Sequence, residues 1–484
     1  MVRGTDRDPV FEAPQLSTLR QQEAGVVASL SALGLPSPTA GLYAFSTQLV
    51  PGVLARMTFP AGSMISVEEA RDRILGFFHR LPAERKPLLQ ALGQVLAEDI
   101  VAPFDIPPLD NTAMDGYAVR AGDTTGASET VPRSLRVIAD LAAGYVLDTA
   151  VGVGEAVRIM TGAPMPPGAD SVVPFEETDE PLREVNQAAQ KAAVVQVLKG
   201  AEPGANIRYR AEDVTAGSVV IPAGRVIRAS EIGVLASIGL THVPVYRRPV
   251  VAILSTGDEV TEPGNPLLPG RIYDANAHSV AAMVAKYGGI PRLLGIAKDT
   301  VEDLTAKIRE GLDADMLVTS AGVSRGDFDV VKDVLAREGK VDFWTVRMKP
   351  GKPLAFGAFK APDGRTVPHL GLPGNPVSSM VSFELFGRPA IFTMMGRTDW
   401  ERPVVKAITR DSVQNTDGRR FYARCIVTQG EDGRYYADLT GPQGSGILTS
   451  MSAANALTII PEDVPEARPG DEIDVMMLDW EHSP

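Results

Sequence analysis

The run Pro249-Val250-Val251-Ala252-Ile253-Leu254-Ser255-Thr256-Gly257-Asp258-Glu259 decides the fold. Six apolar residues in succession read as a strand buried on both faces, and a polar, glycine-bearing loop closes it. From there, strand and helix patterns alternate. Helices are expected near Asn276–Tyr287, Val301–Leu312 and Phe328–Arg337, and strands at Arg292–Ile296, Asp315–Thr319 and Val341–Met348. Repeated β-α-β units with short loops predict a three-layer α/β domain over 247–397, its sheet mostly parallel and helices on both faces. In such sheets ligands sit outside the carboxyl ends of the strands, so those loops are the place to look for chemistry.

Upstream, Ser66-Val67-Glu68-Glu69 is a capping box, and Ala70, Ile74, Phe77/Phe78 and Leu81 follow at helical spacing. Pro82 stops that helix, and a second is expected over about Pro87–Asp99. Between Ile100 and Gly204 the pattern changes to short β-type runs split by Gly and Pro, as at Arg136–Ala139, Ala156–Met160 and Ser171–Phe175. A further strand signal and a polar turn lie in Lys191–Asp213, before a helix at Ser230–Ile238. Downstream, Arg402–Leu478 returns to short strands, consistent with a small β-barrel or sandwich. Residues 24–55 carry no charge, yet Ser, Thr, Gly and Pro interrupt every apolar run. They do not supply the roughly 20 mostly apolar residues of a membrane span. Asp6, Asp8, Glu12 and Glu23 do not suit a signal peptide. Residues 1–62 are therefore expected to be a poorly ordered extension, either an early start with Met57 or Met64 as the true beginning or a genuine flexible tail.

The 484 residues include 47 Lys+Arg against 60 Asp+Glu, a net charge of −13 that excludes a nucleic-acid binder held by general phosphate attraction. A local basic pocket stays open. The single Cys425 excludes a disulfide framework and any cysteine-rich metal site. There is no GxxxxGK[ST], no GxSxG elbow with partners, and Gly152-Val153-Gly154 lacks the third glycine of a dinucleotide fingerprint. The chemistry must run on carboxylates, lysines, arginines, hydroxyls and backbone amides.

Several loops supply those groups. Ser255-Thr256-Gly257-Asp258-Glu259 follows the first strand, and Ala321-Gly322-Val323-Ser324 with Gly326-Asp327-Phe328-Asp329 follows Asp315–Thr319. Glycine lets backbone amides approach an anion, while carboxylates beside such a cradle would repel phosphate unless a metal sits between them. Asp258, Glu259, Asp299 and Asp329 are thus a ligand pool for Mg²⁺, or else solvated helix caps. Met348-Lys349-Pro350-Gly351-Lys352-Pro353 is a stiff turn presenting two lysines to an oxyanion, or a solvated hairpin. Gly371-Leu372-Pro373-Gly374-Asn375-Pro376 precedes a helix. Outside this domain, Asn111–Ala118 (NTAMDGYA), Met160-Thr161-Gly162-Ala163-Pro164, Gly418-Arg419-Arg420-Phe421 and Gln443-Gly444-Ser445-Gly446 stand at turns.

Taken together in this order, MISVEEA, NTAMDGYAV, IMTGAPMPPGADSVV, LSTGDEV, AGVSRGDFD, MKPGKPLAFG, LPGNPVSS and GPQGSGILTS resemble the MoeA family of molybdopterin molybdenumtransferases, related to the gephyrin E domain. The match runs from about Met64 to the C-terminus. The resemblance implies insertion of molybdate into adenylylated molybdopterin, with Mg²⁺-dependent release of AMP. It implies a cytoplasmic homodimer with four domains: 63–100 with 206–246 (helical or mixed, discontinuous), 101–205 (β-rich), 247–397 (molybdopterin-binding-like, carrying the active cleft) and 398–484 (β-barrel). The β-rich module of one subunit is expected to approach the cleft of the other. Carried over by position, Asp115, Thr161, Asp213, Glu259, Asp329, Lys349 and Lys352 are the catalytic candidates, with Asp258, Glu259, Asp299 and Asp329 for the metal. Ser255, Thr256, Gly257, Gly322, Ser324, Pro373, Gly374 and Asn375 line the substrate site, with Arg419, Arg420 and Ser445 on the molybdate side.

Three positions depart from the family pattern: Ala321 and Ala211 stand where glycine is common, and Thr345 where some relatives have lysine. Rival readings are a molybdopterin adenylyltransferase, whose fold the α/β segment would equally suit, and a non-catalytic scaffold. Handover contacts with the adenylyltransferase and with cofactor-accepting enzymes are expected partners, nucleic acid and membrane are not.

Overall fold

A computed structural model describes residues 64–182, 193–321, 334–335 and 337–479. The expected N-terminal extension, most of the helix expected at Phe328–Arg337, and the site candidates Gly322, Ser324 and Asp329 lie outside the described residues.

The central sheet has seven strands in the order Met64–Ile65, Gly339–Val346, Pro353–Lys360, Thr366–Leu372, Met316–Ser320, Val250–Thr256, Ile290–Ala297. Val250–Thr256 lies parallel to both its neighbours, and Met316–Ser320 parallel to Thr366–Leu372. Pro353–Lys360 runs antiparallel to the strand on each side. The sheet is therefore mixed, with four parallel pairs and two antiparallel ones. The sequence pattern misses the last hairpin because Gly357 interrupts PLAFGAFK, and Pro368, His369 and Gly371 interrupt TVPHLGL, so neither offers an unbroken apolar run. One sheet face packs Ala252, Leu254, Leu317, Ala355, Phe359 and Val367 against Leu304 and Ile308 of helix Val301–Glu310. Helices Ala275–Lys286, Pro376–Ser382 and Arg388–Met394 cluster together, the first of them against Val250–Thr256 and Ile290–Ala297.

The capped helix forms over Val67–Leu75, with Ser66 Oγ accepting from Glu69 N at 3.1 Å. It packs on helix Arg388–Met394, and Met64–Ile65 pairs with Thr345–Val346 as an edge strand of the central sheet. The start of the described chain thus lies with the α/β module, although the sequence reading grouped it with the first module.

No helix forms over Pro87–Asp99. Strand Ala83–Pro87 pairs antiparallel with His242–Tyr246, and a single 3₁₀ turn, Leu88–Ala91, follows. Gly93 then takes φ +78°, which ends any helix, while Val95 and Leu96 are buried by bridging to Val226 and Val245. Ala91, Leu96, Ile100, Ile221, Ile227 and Leu235 make one core, so segments 83–101 and 219–246 form a discontinuous module. Its helix spans Ala229–Ser237.

The β-rich module is a five-stranded sheet, Ser171–Pro174, Gly116–Val119, Glu155–Ile159, Arg133–Leu141, Val194–Val197. Tyr117 and Val119 feed the core on one face, Ala118 and Val157 that on the other. Toward the C-terminus, Val404–Thr409, Tyr435–Leu439, Arg424–Gln429, Ala456–Ile459 and Glu472–Met477 close a five-stranded barrel. Buried Glu384 ties the segment leading into the barrel to the helices of the α/β module: it accepts from Arg402 Nε at 2.7 Å, pairs with Arg388 Nε at 2.6 Å and accepts from the Tyr287 hydroxyl. Burial alone would raise its carboxyl, but the two guanidiniums outweigh that and keep it ionised.

Candidate functional site

The carboxyl ends of the parallel strands gather four loops. Ser255 and Ser320 are register partners on adjacent strands, both almost fully buried. Thr256 Oγ1 donates to Ser320 O at 3.3 Å. Beyond the strand, Asp258 N donates to Asp299 Oδ2 at 3.3 Å, which brings the TGDE and AKD loops side by side. The Glu259 carboxylate folds back over Gly257, where a Cβ would lie 2.5 Å from Oε2.

Asn276 opens the next helix and ties two of these loops together. Its Nδ2 donates to Ser320 Oγ and to Gly374 O, both at 2.7 Å. The sequence reading missed Asn276, whose signal was only its place at the start of a helix that follows a strand-end loop. Ala321 accepts the left-handed conformation, φ +78°, with its N–H donating to Leu372 O at 3.1 Å. Pro373 is buried, whereas Gly374 and Asn375 are exposed at the start of helix Pro376–Ser382.

The KPGKP turn is built jointly by sheet and barrel. Met348–Lys349 pairs parallel with Arg420–Phe421, and Tyr422 N donates to Lys349 O at 2.8 Å. Gly351 sits at φ +100° and packs so closely that a Cβ would stand 2.6 Å from Ser382 Oγ and 2.8 Å from Met348 Cε. Glycine is required there, because both the backbone conformation and the space exclude a side chain. Lys349 Nζ lies 4.6 Å from the centroid of the Phe421 ring and 3.8 Å from Asp417 Oδ2. Lys352 is exposed, and its carbonyl accepts from Val346 N at 2.8 Å.

The two arginines taken from GRRF are both engaged in ion pairs. Arg419 pairs with Asp417 and also donates to Met348 O at 3.3 Å. Arg420 pairs with Glu68 and lies 3.3 Å from Glu462. The guanidinium that meets the 441–446 loop belongs instead to Arg424, which the sequence reading passed over. Fully buried, it donates from Nε to Ser450 Oγ at 2.9 Å, from Nη1 to Gln443 O at 3.0 Å, and from Nη2 to Pro442 O at 3.2 Å and Gly444 O at 3.0 Å. That loop docks on the α/β module through Val377 N donating to Ser445 O at 3.1 Å. Ser445 therefore stands beside the LPGNP turn.

The remaining candidates form a separate group. Asp115 Oδ1 accepts from both Thr161 N and Thr161 Oγ1 at 2.7 Å. The backbone N–H and then the hydroxyl of Thr161 hold this carboxyl below its ordinary value. Asp213 is exposed in a turn where Ala211, at φ +63°, donates to Pro107 O at 3.1 Å. Among the described residues, no hydrogen bond or ion pair joins Asp115, Thr161 or Asp213 to the loops of the α/β module.

A mixed α/β domain with acidic and lysine-bearing loops at its strand ends, flanked by a β-rich module and a closed barrel, defines a multidomain protein whose strand-end loops suit a small anionic ligand. The family models agree: "MoeA N-terminal region (domain I and II)" matches residues 65–239, "Probable molybdopterin binding domain" 252–393 and "MoeA C-terminal region (domain IV)" 406–478. The chain is 40% identical over 422 residues to Molybdopterin molybdenumtransferase 2 of Mycobacterium tuberculosis, covering 86% of this chain and 100% of that protein. It is 36% identical over 427 residues to the Molybdopterin molybdenumtransferase of Nostoc, covering 87% and 95%. The crystal structure of the molybdopterin biosynthesis MoeA protein from Pyrococcus horikosii matches with a TM-score of 0.71 at 32% identity, covering 86% of this chain and all of that one. The chain belongs to the MoeA family.

Proposed function

We propose that this protein is a molybdopterin molybdenumtransferase, joining molybdate to adenylylated molybdopterin with release of AMP to give molybdenum cofactor. The observation that carries the reading is the docking of the barrel loop 441–446 on the LPGNP turn through Ser445 O. That contact sets Ser445 beside the LPGNP turn of the α/β module, in a chain that is 40% identical over 422 residues to a protein named Molybdopterin molybdenumtransferase 2.

Breaking a phosphoanhydride while a molybdate dianion is brought in concentrates negative charge. Lys352, exposed at the turn, and Lys349 hold oxyanion oxygens as point charges. The hydroxyl of Ser445 joins them on the molybdate side, while the Ser255–Gly257 turn and backbone N–H groups of the strand-end loops orient the pterin phosphate. The oxygen-only donor set of Asp258, Glu259 and Asp299 suits Mg²⁺, and the Asp258–Asp299 hydrogen bond brings two of these loops together. No three acidic or histidine side chains converge on a metal-sized site among the described residues, so substrate oxygens would complete the shell. Asp329 joins the proposed set. When bound, the cation would neutralise the anhydride oxygens. Asp115, held ionised by Thr161, orients substrate rather than exchanging protons at neutral pH. No side chain serves as nucleophile, since the two substrates react with each other.

We propose further that the protein acts as a cytoplasmic homodimer. Asp115, Thr161 and Asp213 of one protomer would then face the α/β cleft of its partner, since no described contact joins them to their own. Among the described residues no helix is long and apolar enough to cross a membrane. Product handover would involve the adenylyltransferase and cofactor-accepting enzymes. Purified protein given adenylylated molybdopterin, molybdate and Mg²⁺ should release AMP. Nucleotide turnover only from molybdopterin plus ATP would make it an adenylyltransferase, and no turnover in either case would make it a scaffold.

A further inference from the structure

Asp417 is a charged group of the barrel region that the proposed reaction does not use, and it sits against Lys349, a cation that the reaction needs. Its Oδ2 is shared: Arg419 donates to it directly, while Lys349 Nζ stands off at 3.8 Å. Arg419 is held on its other side by Met348 O at 3.3 Å, in the strand that leads into the KPGKP turn. The two contacts differ in kind. The arginine contact is a hydrogen bond anchored at both ends, whereas the lysine contact is a loose ion pair, helped by the Phe421 ring beneath the ammonium. Lys349 and Asp417 are 38% and 34% exposed, so solvent reaches the pair and the lysine can leave it without being stranded.

From this geometry we infer that Asp417 is the resting counter-ion of the oxyanion subsite, a positioning residue that parks Lys349 over Phe421 until an incoming tetrahedral oxyanion displaces it. The inference rests on the reading that Lys349 contacts molybdate. An oxyanion that binds Lys349 must outcompete a carboxylate already there, so Asp417 lowers anion affinity. In exchange, it keeps Lys349 ordered and discourages casual occupation by the weaker-binding oxyanions of the cell. Arg419 keeps the Asp417 carboxyl below its ordinary value, so the group remains charged throughout the neutral range. A half-exposed ion pair of this kind is worth up to about 1 kcal/mol, equivalent to roughly fivefold in affinity.

The test is equilibrium binding of radiolabelled molybdate to the full chain, comparing the native protein with Asp417→Asn, Lys349→Gln and the double variant. Asparagine still accepts a hydrogen bond from Arg419, and a thermal melt checks that the fold is retained. Asp417→Asn should tighten molybdate binding about fivefold. It should have no effect in the Lys349→Gln background, and Lys349→Gln alone should weaken binding. A gain of affinity cannot come from structural damage. Weak binding by Lys349→Gln together with unchanged or weaker binding by Asp417→Asn would overturn the counter-ion role but leave the lysine assignment standing. An equal gain in the double variant would overturn the route through Lys349. Native-like binding by Lys349→Gln would refute the anion-site reading itself.

Discussion

Replacing Arg424 by methionine should free the loop that carries Ser445. Methionine has similar volume and fills the same buried space, so the change removes hydrogen bonds without opening a large cavity. The guanidinium makes four of them, at 2.9 to 3.2 Å, and three end on carbonyls of the 441–446 loop. Hydrogen bonds from a charged donor contribute about 1.5–3 kcal/mol each when lost singly. Four of them cannot simply be added, because the loop can swing outward and give its carbonyls to water. Removing the charge also relieves its desolvation, which already lowers the affinity of Arg424 for its proton. The expected net cost is about 2–4 kcal/mol, concentrated in local opening of the loop rather than in global unfolding. Amide hydrogen exchange measures this directly. The Val377 amide, bonded to Ser445 O, should exchange about 30- to 1000-fold faster, since each 1.4 kcal/mol is tenfold. Central-sheet amides such as that of Val318 should change little. Lysine at 424 should rescue only partly, because a point charge cannot span carbonyls that a planar fork reaches. Unaltered exchange at Val377 in Arg424→Met would refute the claim that this arginine positions the loop.

Further outcomes follow from the same geometry. Ala211 and Ala321 hold positive φ angles of 63° and 78°, so glycine at either should stabilise by about 0.5–1 kcal/mol in denaturant titration; destabilisation would show that the left-handed backbone is unstrained there. His369 is fully buried, its Nε2 2.9 Å from Thr319 Oγ1, and burial pushes its pKa down to about 3. The unfolded chain therefore binds a proton that the folded one refuses between about pH 6.5 and 3, so stability falls as the pH drops through that window. The loss should reach about 2 kcal/mol at pH 5 and be absent in His369→Gln, as urea titrations at pH 7 and pH 5 would measure. A chain beginning at Met64 retains the edge strand and the Ser66 cap, and should melt and turn over like the full chain; failure to fold would show that residues before Met64 support the structure.

The α/β core was legible because PVVAIL and its neighbours carry the full hydrophobic load of buried parallel strands. The helix expected at Pro87–Asp99 was not, since its apolar spacing fits a helix while Gly93 needs a conformation no helix offers. Met64–Ile65 joins a strand nearly three hundred residues away, a pairing that two residues cannot announce. At the site, short motifs located the loops but not the direction of their side chains. Arg419 and Arg420 looked available and prove to be ion-paired, whereas Arg424 stands on the outer face of a barrel strand, opposite the core-facing Cys425 and Val427, and owes its burial and its role to the loop folded over it. Asn276 was equally hidden, because its two acceptors come from segments 44 and 98 residues away.

The central claim is that an oxyanion sits between the lysine turn and the docked barrel loop. A crystal of the protein with AMP and molybdate, examined for the anomalous signal of molybdenum, tests it most directly. One molybdenum peak is expected within hydrogen-bonding reach of Lys352 and the 441–446 loop, with the nucleotide over the Ser255–Gly257 turn. A molybdenum peak lodged elsewhere, with that space holding only solvent, would contradict it.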